Sequence, residues 1–225
     1  EVITEGILTR RLQSDPELAG VGLVIFDEFH ERNIHSDIAL ALTNDLRKGL
    51  RDDLKILIMS ATLDSEPLIN LLGAERIRSE GRSWPIEITH MGGEIAANCS
   101  AAMAAAISRA AHETEGDILA FLPGVREIER VKAQLAPRLT QLQIYPLHGR
   151  LQPAEQQLAL KKSPRRKLIL TTNIAETSLT IDGISTVVDS GLCRQPGFDP
   201  DSGLTRLTTT RISQASSNQR AGRAG

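Results

Sequence analysis

Aromatic residues make up only 3% of this 225-residue sequence: one Trp, one Tyr and four Phe. Any core must therefore rest on Leu, Ile, Val and Ala. At 40% hydrophobic residues the chain can fill one large or two modest domains, at ~100–200 residues per domain. Cysteine is scarce as well. Cys99 and Cys193 stand far apart, form no metal-type cluster and make no disulfide framework, which points to a reducing compartment, the cytoplasm in the first place. No apolar run approaches the ~20 residues of a membrane helix, and no signal peptide stands out, so no membrane association is expected. An excess of one charge is also missing, since Lys+Arg 26 against Asp+Glu 28 gives a net charge of -2. A nucleic-acid surface must then be a local patch. There is no G-x-S-x-G elbow for a serine hydrolase. There is no Gly-Lys pair either, so the G-x-x-x-x-G-K-[ST] loop that cradles phosphates is not in this sequence. The chain opens at Glu1 without a Met and stops at Gly225 inside a basic, glycine-spaced run, and both ends read as those of a segment of a longer protein.

What is present centres on Leu23-Val24-Ile25-Phe26 followed by Asp27-Glu28-Phe29-His30. Four apolar residues in a row read as a parallel strand buried on both faces. Ligands of open α/β sheets sit just beyond the carboxyl ends of strands, which puts Asp27 and Glu28 at the mouth of a site. An Asp there suits Mg²⁺, a hard cation that favours carboxylate, water and phosphate oxygen. A Glu beside it can take a proton from an attacking water. The competing reading is a solvated acidic turn.

The rest of the chain alternates. A helix is expected over Glu5–Leu12, a strand over Val21–Phe26, and a helix capped by Ser36 or Asp37 whose Ile38, Leu42, Leu46 and Leu50 share one face. A strand over Leu54–Met59 follows, then a short helix over Pro67–Leu72 that Gly73 ends. Ser79 to Pro85 reads as a linker, with Trp84 packing between domains, and Ile86–His90 as an edge strand. A second series comprises a helix over Ala101–Ala111, a strand over Asp117–Leu122, a helix with Val125, Ile128, Val131 and Leu135 inward, and a strand over Gln143–Leu147. A helix over Pro153–Leu160 and strands over Lys167–Thr171 and Thr186–Asp189 complete it. Two parallel sheets are implied. Asp199-Pro200-Asp201-Ser202-Gly203 breaks the rhythm with the turn of a hairpin.

Two chemistries compete for the acidic turn. A zinc hydrolase needs histidines at i and i+4 on one helical face. His30 and His35 are one residue too far apart and diverge by ~140° on a 3.6-residue helix. Phosphoryl transfer needs a metal, a positioned water and cationic stabilisation. Asp27 and Glu28 supply the first two, and Gln219-Arg220-Ala221-Gly222-Arg223 offers guanidinium groups that pair well with phosphate, unless they are merely a solvated helix end.

Taken in order, Asp27-Glu28-Phe29-His30, Ser60-Ala61-Thr62, the stretch from Thr172 to Gly183 (TNIAETSLTIDG) and Gln219–Gly225 resemble the DEAH-box helicases of superfamily 2, above all the bacterial HrpB type. The resemblance covers essentially the whole chain. It implies two RecA-like α/β domains with ATP in the cleft between them. Residues 1–80 would be the C-terminal part of the first, 81–85 a linker, and 86–225 a second domain carrying a β-hairpin and truncated at its end. By the same resemblance Asp27 holds Mg²⁺ largely through water, Glu28 activates the lytic water, and His30 links the site to the second domain. Ser60 and Thr62 couple nucleotide state to closure, Asp182 touches the ribose, and Ser178 and Thr180 lie in the loop that senses the nucleotide. Gln219 positions water, Arg223 is an arginine finger, and Arg220 supports the same phosphates. Thr4, Thr172 and Asn173, with His148, Gly149 and Arg150, hold a single-stranded nucleic-acid backbone, RNA in preference to DNA. Gripping the backbone lets a motor step without reading sequence.

Some positions depart from the family pattern. Arg150 stands where many relatives carry a small polar residue, and either grips phosphate or is solvated. The helix at Pro153–Leu160 has no aromatic to stack on a base, and Leu160 would do so only weakly. Lys161, Lys162, Arg165, Arg166 and Lys167 form the densest basic cluster, read as a solvated loop rather than an RNA track. The hairpin is either the family's strand-side element or an ordinary surface hairpin. Without its phosphate loop this stretch alone is expected not to hydrolyse ATP. The rival function is a non-catalytic nucleic-acid-binding or interaction module that kept the fold.

Overall fold

The computed structural model describes residues 1–31, 33–60, 66–79, 85–92, 99–176, 179 and 181–224. The chain divides into two units, Glu1–Glu80 and Gly81–Gly225.

In the first unit, helix α1 (Glu5–Ser14) precedes strand β1 (Leu23–Phe26), and helix α2 (Ile34–Gly49) leads to strand β2 (Lys55–Ile58), which lies parallel to β1 with Val24 opposite Ile56. Helix α3 (Glu66–Leu72) follows, and Gly73 leaves it at φ 60°, a conformation only glycine adopts without strain. Val24 and Phe26 point into a core with Leu8 and Leu12 of α1 and Ala39, Leu40 and Leu46 of α2. The expectation of a strand covered on both faces is corrected here: Leu23 and Ile25 alternate outward and are exposed, so the two-stranded sheet buries one face. The face of α2 is corrected too. Its buried residues are Ser36, Ala39, Leu40, Thr43, Asn44 and Leu46, whereas Ile38, Leu42 and Leu50 are exposed. Its cap is Asn33, whose side-chain oxygen accepts from the His35 backbone N–H at 2.9 Å, three residues before Ser36. Small residues at 36, 39 and 43 let the helix lie close to its neighbours, and periodicity of large residues alone misses that face.

In the second unit, residues 85–92 carry no strand, so the edge strand over Ile86–His90 does not form there. Helix α4 (Cys99–Glu113), strand β3 (Asp117–Phe121), helix α5 (Val125–Leu135), strand β4 (Gln143–Leu147), helix α6 (Pro153–Leu160), strand β5 (Lys167–Thr171) and strand β6 (Ile184–Asp189) build a parallel sheet in the order β4-β5-β3-β6. The inner strands β3 and β5 alternate between two cores. Ile118, Ala120, Leu168 and Leu170 face α4 and α5 through Met103, Ile107, Ile128, Val131 and Leu135. Leu119, Phe121 and Ile169 face the other way, with Ala159 and Ala175. Covering both faces is what allows near-continuous apolar strands, and β5 is buried along its whole length. The antiparallel hairpin of β7 (Leu192–Asp199) and β8 (Leu204–Arg211) follows, turning at Gly203 with φ 66°. Helix α7 (Gln214–Ala221), capped by the Ser213 hydroxyl, closes the unit.

The basic cluster is divided: Lys161, Lys162 and Arg165 are exposed, as expected of a solvated loop, whereas Arg166 and Lys167 are drawn into the fold. Lys167 is 1% exposed and donates to the carbonyls of Ala159 and Lys161 at 3.1 and 3.0 Å, off the end of α6. Arg166 donates to the carbonyls of Ala111 and Gly116 and to the Thr114 hydroxyl, closing the end of α4. Arg165 reaches the Thr140 carbonyl at 3.1 Å. Arg166 and Lys167 thus serve the carbonyl ends of α4 and α6, where positive charge is favourable.

Candidate nucleotide and nucleic-acid sites

The first unit carries the acidic turn. Met59 donates its N–H to Phe26 at 2.8 Å, and Phe29 donates back to Met59 at 3.1 Å. These bonds lock the turn after β1 to the end of β2, so Ser60 emerges beside it, exposed. Phe29 is buried edge-on against Phe26, centroids 6.1 Å apart, which pins the turn from below. Asp27 is exposed and accepts the Glu28 N–H at 2.8 Å. Glu28 lies at φ 49°, a left-handed conformation rare for a residue with a Cβ, and its carboxylate stands 3.5 Å from His30 Nε2. Thr4 precedes α1, exposed, its carbonyl accepting from Ile7 at 2.9 Å. Thr62 lies outside the described residues. Among the described residues no three His, Cys, Asp or Glu side chains gather as a metal cage. An exposed Asp27 carboxylate at a strand's end still fits Mg²⁺, which keeps several waters and takes one or two carboxylates plus phosphate oxygens.

The second unit has a crevice of about 560 Å³ at the carboxyl ends of its strands. After β3 come Pro123, Gly124, Val125 and Arg126; after β4, His148, Gly149 and Arg150; after β5, Thr172 and Asn173. The predicted set at 148–150 and 172–173 is therefore brought together here. The hairpin adds a wall with Arg194, Leu207 and Thr209. Arg126 and Arg194 were not singled out in the sequence. Position could have flagged Arg126, five residues past the end of β3, but nothing local marks Arg194. Its guanidinium reaches Glu127 at 3.3 Å and passes so close to Gly124 that a Cβ there would lie 2.8 Å from Nη1. Leu160 packs against the core of α6's side of the sheet.

Asp182 ends the loop that begins at Thr172; its carboxylate is 3.6 Å from Lys162 Nζ. Ser178 and Thr180 lie outside the described residues. Gln219 is half-buried on α7. Arg223, in the turn after α7, donates to the carbonyls of Glu176 at 3.0 and 2.6 Å and of Leu179 at 2.8 Å. The expectation for Arg220 needs correction. It is 1% exposed, pairs with Glu176 and Asp189 at 2.9 Å each, and lies 4.8 Å from the Phe121 ring centre. A guanidinium consumed by two carboxylates and an aromatic face braces the fold and has no surface left for a phosphate.

Residues 101–225 match the family model of the helicase conserved C-terminal domain. The chain belongs to that family. As a helicase domain it is similar over 100% of its length to the ATP-dependent RNA helicase HrpB of Escherichia coli, at 53% identity, covering 28% of that protein. It is 39% identical over 99% of its length to the ATP-dependent RNA helicase DEAH11, chloroplastic, of Arabidopsis thaliana, covering 13% of it. The crystal structure of the E. coli DExH-box NTPase HrpB matches all of the chain with a TM-score of 0.91, over 28% of its own length. The chain thus spans under a third of the curated relatives it matches. The resemblance to HrpB-type DEAH-box helicases and the RecA-like α/β fold with a parallel sheet are borne out.

Proposed function

We propose that the protein to which this helicase chain belongs is an ATP-dependent RNA helicase. Mg-ATP hydrolysis drives stepping along a single strand and unwinds duplex ahead of it. The observation that carries this reading is the crevice of the second unit. Two separate loops, His148–Arg150 and Thr172–Asn173, line it with small, polar and cationic groups. Such a lining suits a phosphate backbone and offers little to read a base edge. The names of the similar proteins in E. coli and Arabidopsis support RNA as the strand and ATP as the fuel.

In this reading Asp27 and Glu28 serve opposite parts of one reaction. Asp27 would hold a hydrated Mg²⁺, whose charge would offset that of the transferring phosphate. Glu28 accepts a proton from the attacking water, and His30, 3.5 Å from its carboxylate, orients it. Ser60 and Thr62 pass the nucleotide state onward. Asp182, Ser178 and Thr180 contact the nucleotide from the second domain, Gln219 positions water and Arg223 supplies the finger. Arg223 must first leave the carbonyls of Glu176 and Leu179 to reach a phosphate. Thr4, Thr172, Asn173, His148, Gly149 and Arg150 grip the strand. The chain by itself, lacking the Gly-Lys phosphate loop, binds RNA without turning over ATP. Two free, buried cysteines support a reducing, cytoplasmic setting, and no helix among the described residues is long and apolar enough to cross a membrane.

The test is steady-state ATP hydrolysis by the full-length protein with and without single-stranded RNA, beside unwinding of RNA, DNA and hybrid duplexes at fixed salt. RNA-stimulated turnover that Glu28→Gln lowers by about 100-fold or more supports the motor. Strand binding with no turnover would make the protein a binding module instead.

A further inference from the structure

Glu176 lies between the crevice residues Thr172 and Asn173 and the nucleotide-side residue Asp182. Its backbone N–H donates to Asn173 at 3.0 Å, closing the single helical turn Asn173–Ala175. Its carboxylate accepts from the Ser216 hydroxyl and, at 2.9 Å, from Arg220 Nε, both on α7. Its backbone carbonyl accepts from Arg223 Nε and Nη2 at 3.0 and 2.6 Å. One residue therefore holds the crevice turn, the last helix and the finger arginine together.

The surroundings make this joint stiff. Arg220 is 1% exposed, and its second carboxylate partner is Asp189 at the end of β6. The Glu176 side chain is 14% exposed. With so little water present, the ion pair cannot slide through intermediate lengths without leaving a buried charge unmatched. Packed, bistable elements of this kind pass small displacements on as discrete shifts. A movement of Asn173 on the crevice wall reaches Arg223 through the Asn173–Glu176 turn and the Glu176 carbonyl, while the Leu179 carbonyl also holds Arg223.

We propose that Glu176 is the positioning residue that transmits strand engagement in the crevice to Arg223, with Arg220 as its fixed counter-charge. The inference rests on the helicase reading above. Glu176 touches neither the crevice nor a reacting atom and acts only through its neighbours. When the strand shifts the Asn173 turn, the Glu176 carbonyl moves with it and releases Arg223 toward the nucleotide.

The experiment compares the parent full-length protein with Glu176→Gln and Ser216→Ala. ATP turnover is measured across a titration of single-stranded RNA, and amide hydrogen exchange is followed over residues 172–183. Glu176→Gln should cut the ratio of RNA-stimulated to basal turnover by about tenfold. The RNA concentration for half-stimulation should stay within about threefold, because the strand contacts remain. Exchange over 172–183 should rise. Ser216→Ala, which removes one donor and keeps the ion pair, should shift the ratio in the same direction by less, and it stands in if Glu176→Gln does not fold. A merely structural role lowers basal and stimulated rates by one common factor; an unchanged ratio in a variant of a stimulated parent overturns the proposal alone. A parent with no RNA-stimulated turnover overturns it together with the helicase reading.

Discussion

Glu28 presents its carboxylate 3.5 Å from His30 Nε2 while its own backbone sits at φ 49°. A left-handed residue with a side chain stores strain of about 1–3 kcal/mol, and such strain gathers where a side chain must be aimed. The chain reverses between Phe26 and Phe29 within the turn that Met59 clamps, and this conformation turns the Glu28 carboxylate to the histidine.

Replacing Glu28 by glycine should therefore separate stability from activity. Glu28→Gly relieves the backbone, and stability should hold or rise by up to about 1 kcal/mol, read from the midpoint of urea unfolding at unchanged slope. ATP turnover of the full-length protein should fall at least as far as with Glu28→Gln. A clear loss of stability in the glycine variant would show that the conformation is unstrained.

Arg150 stands exposed in the crevice at a position where phosphate contact and solvation both fit. If it neutralises one phosphate, Arg150→Ala weakens RNA binding about equally for all sequences. The slope of log affinity against log salt should then shrink by about 0.7. Fluorescence anisotropy over a salt series measures both. An unchanged slope would leave Arg150 a solvated surface residue.

Lys167 is sealed under α6 and lies 3.7 Å from Asp117. Lys167→Met keeps the bulk but removes the donors for two carbonyls and the counter-charge of Asp117. Stability should fall by about 3 kcal/mol, read as a lower urea midpoint with an unchanged slope. A loss well under 1 kcal/mol would mean that water replaces the ammonium at those carbonyls.

The hairpin turn responds to acid. The Ser202 hydroxyl, at 2.7 Å, and backbone N–H groups of Asp201 and Ser202 hold the Asp199 carboxyl below its ordinary value of 3.8. A depressed carboxylate stabilises the folded turn above its unfolded value, and that contribution disappears as pH falls through the lower folded value. Protection of the turn amides, taken relative to their intrinsic exchange rate at each pH, should fall below about pH 4 in the parent. In Asp199→Asn that protection should be lower at neutral pH and lose the acid dependence.

Much of the second unit was legible because its strands are buried on both faces and its helices are amphipathic. Ile128, Val131 and Leu135 recur at helical spacing and all are buried. The first unit was less so: β1 looks like a doubly covered strand by composition, yet Leu23 and Ile25 face outward. Composition records how apolar a strand is, not how many layers cover it. The residues at 148–150 and 172–173 were legible only through the family resemblance, and the structure places each set just past a strand end. Arg194 reaches the same crevice only through the hairpin's pairing, which places it across from Thr209.

Local order was settled by the sequence itself: the β/α alternation, the hairpin turn and the succession of motifs, because each depends on periodicity or on a few adjacent residues. Tertiary structure alone decided what the cations do. Arg166 meets the Gly116 carbonyl fifty residues away, Lys167 is buried beneath α6, and Arg220 is sealed between two carboxylates while Arg223 reaches the carbonyls of Glu176 and Leu179. A guanidinium or ammonium is the same letter whether its partner is water, phosphate or backbone, and only the folded chain brings the partner within hydrogen-bonding distance.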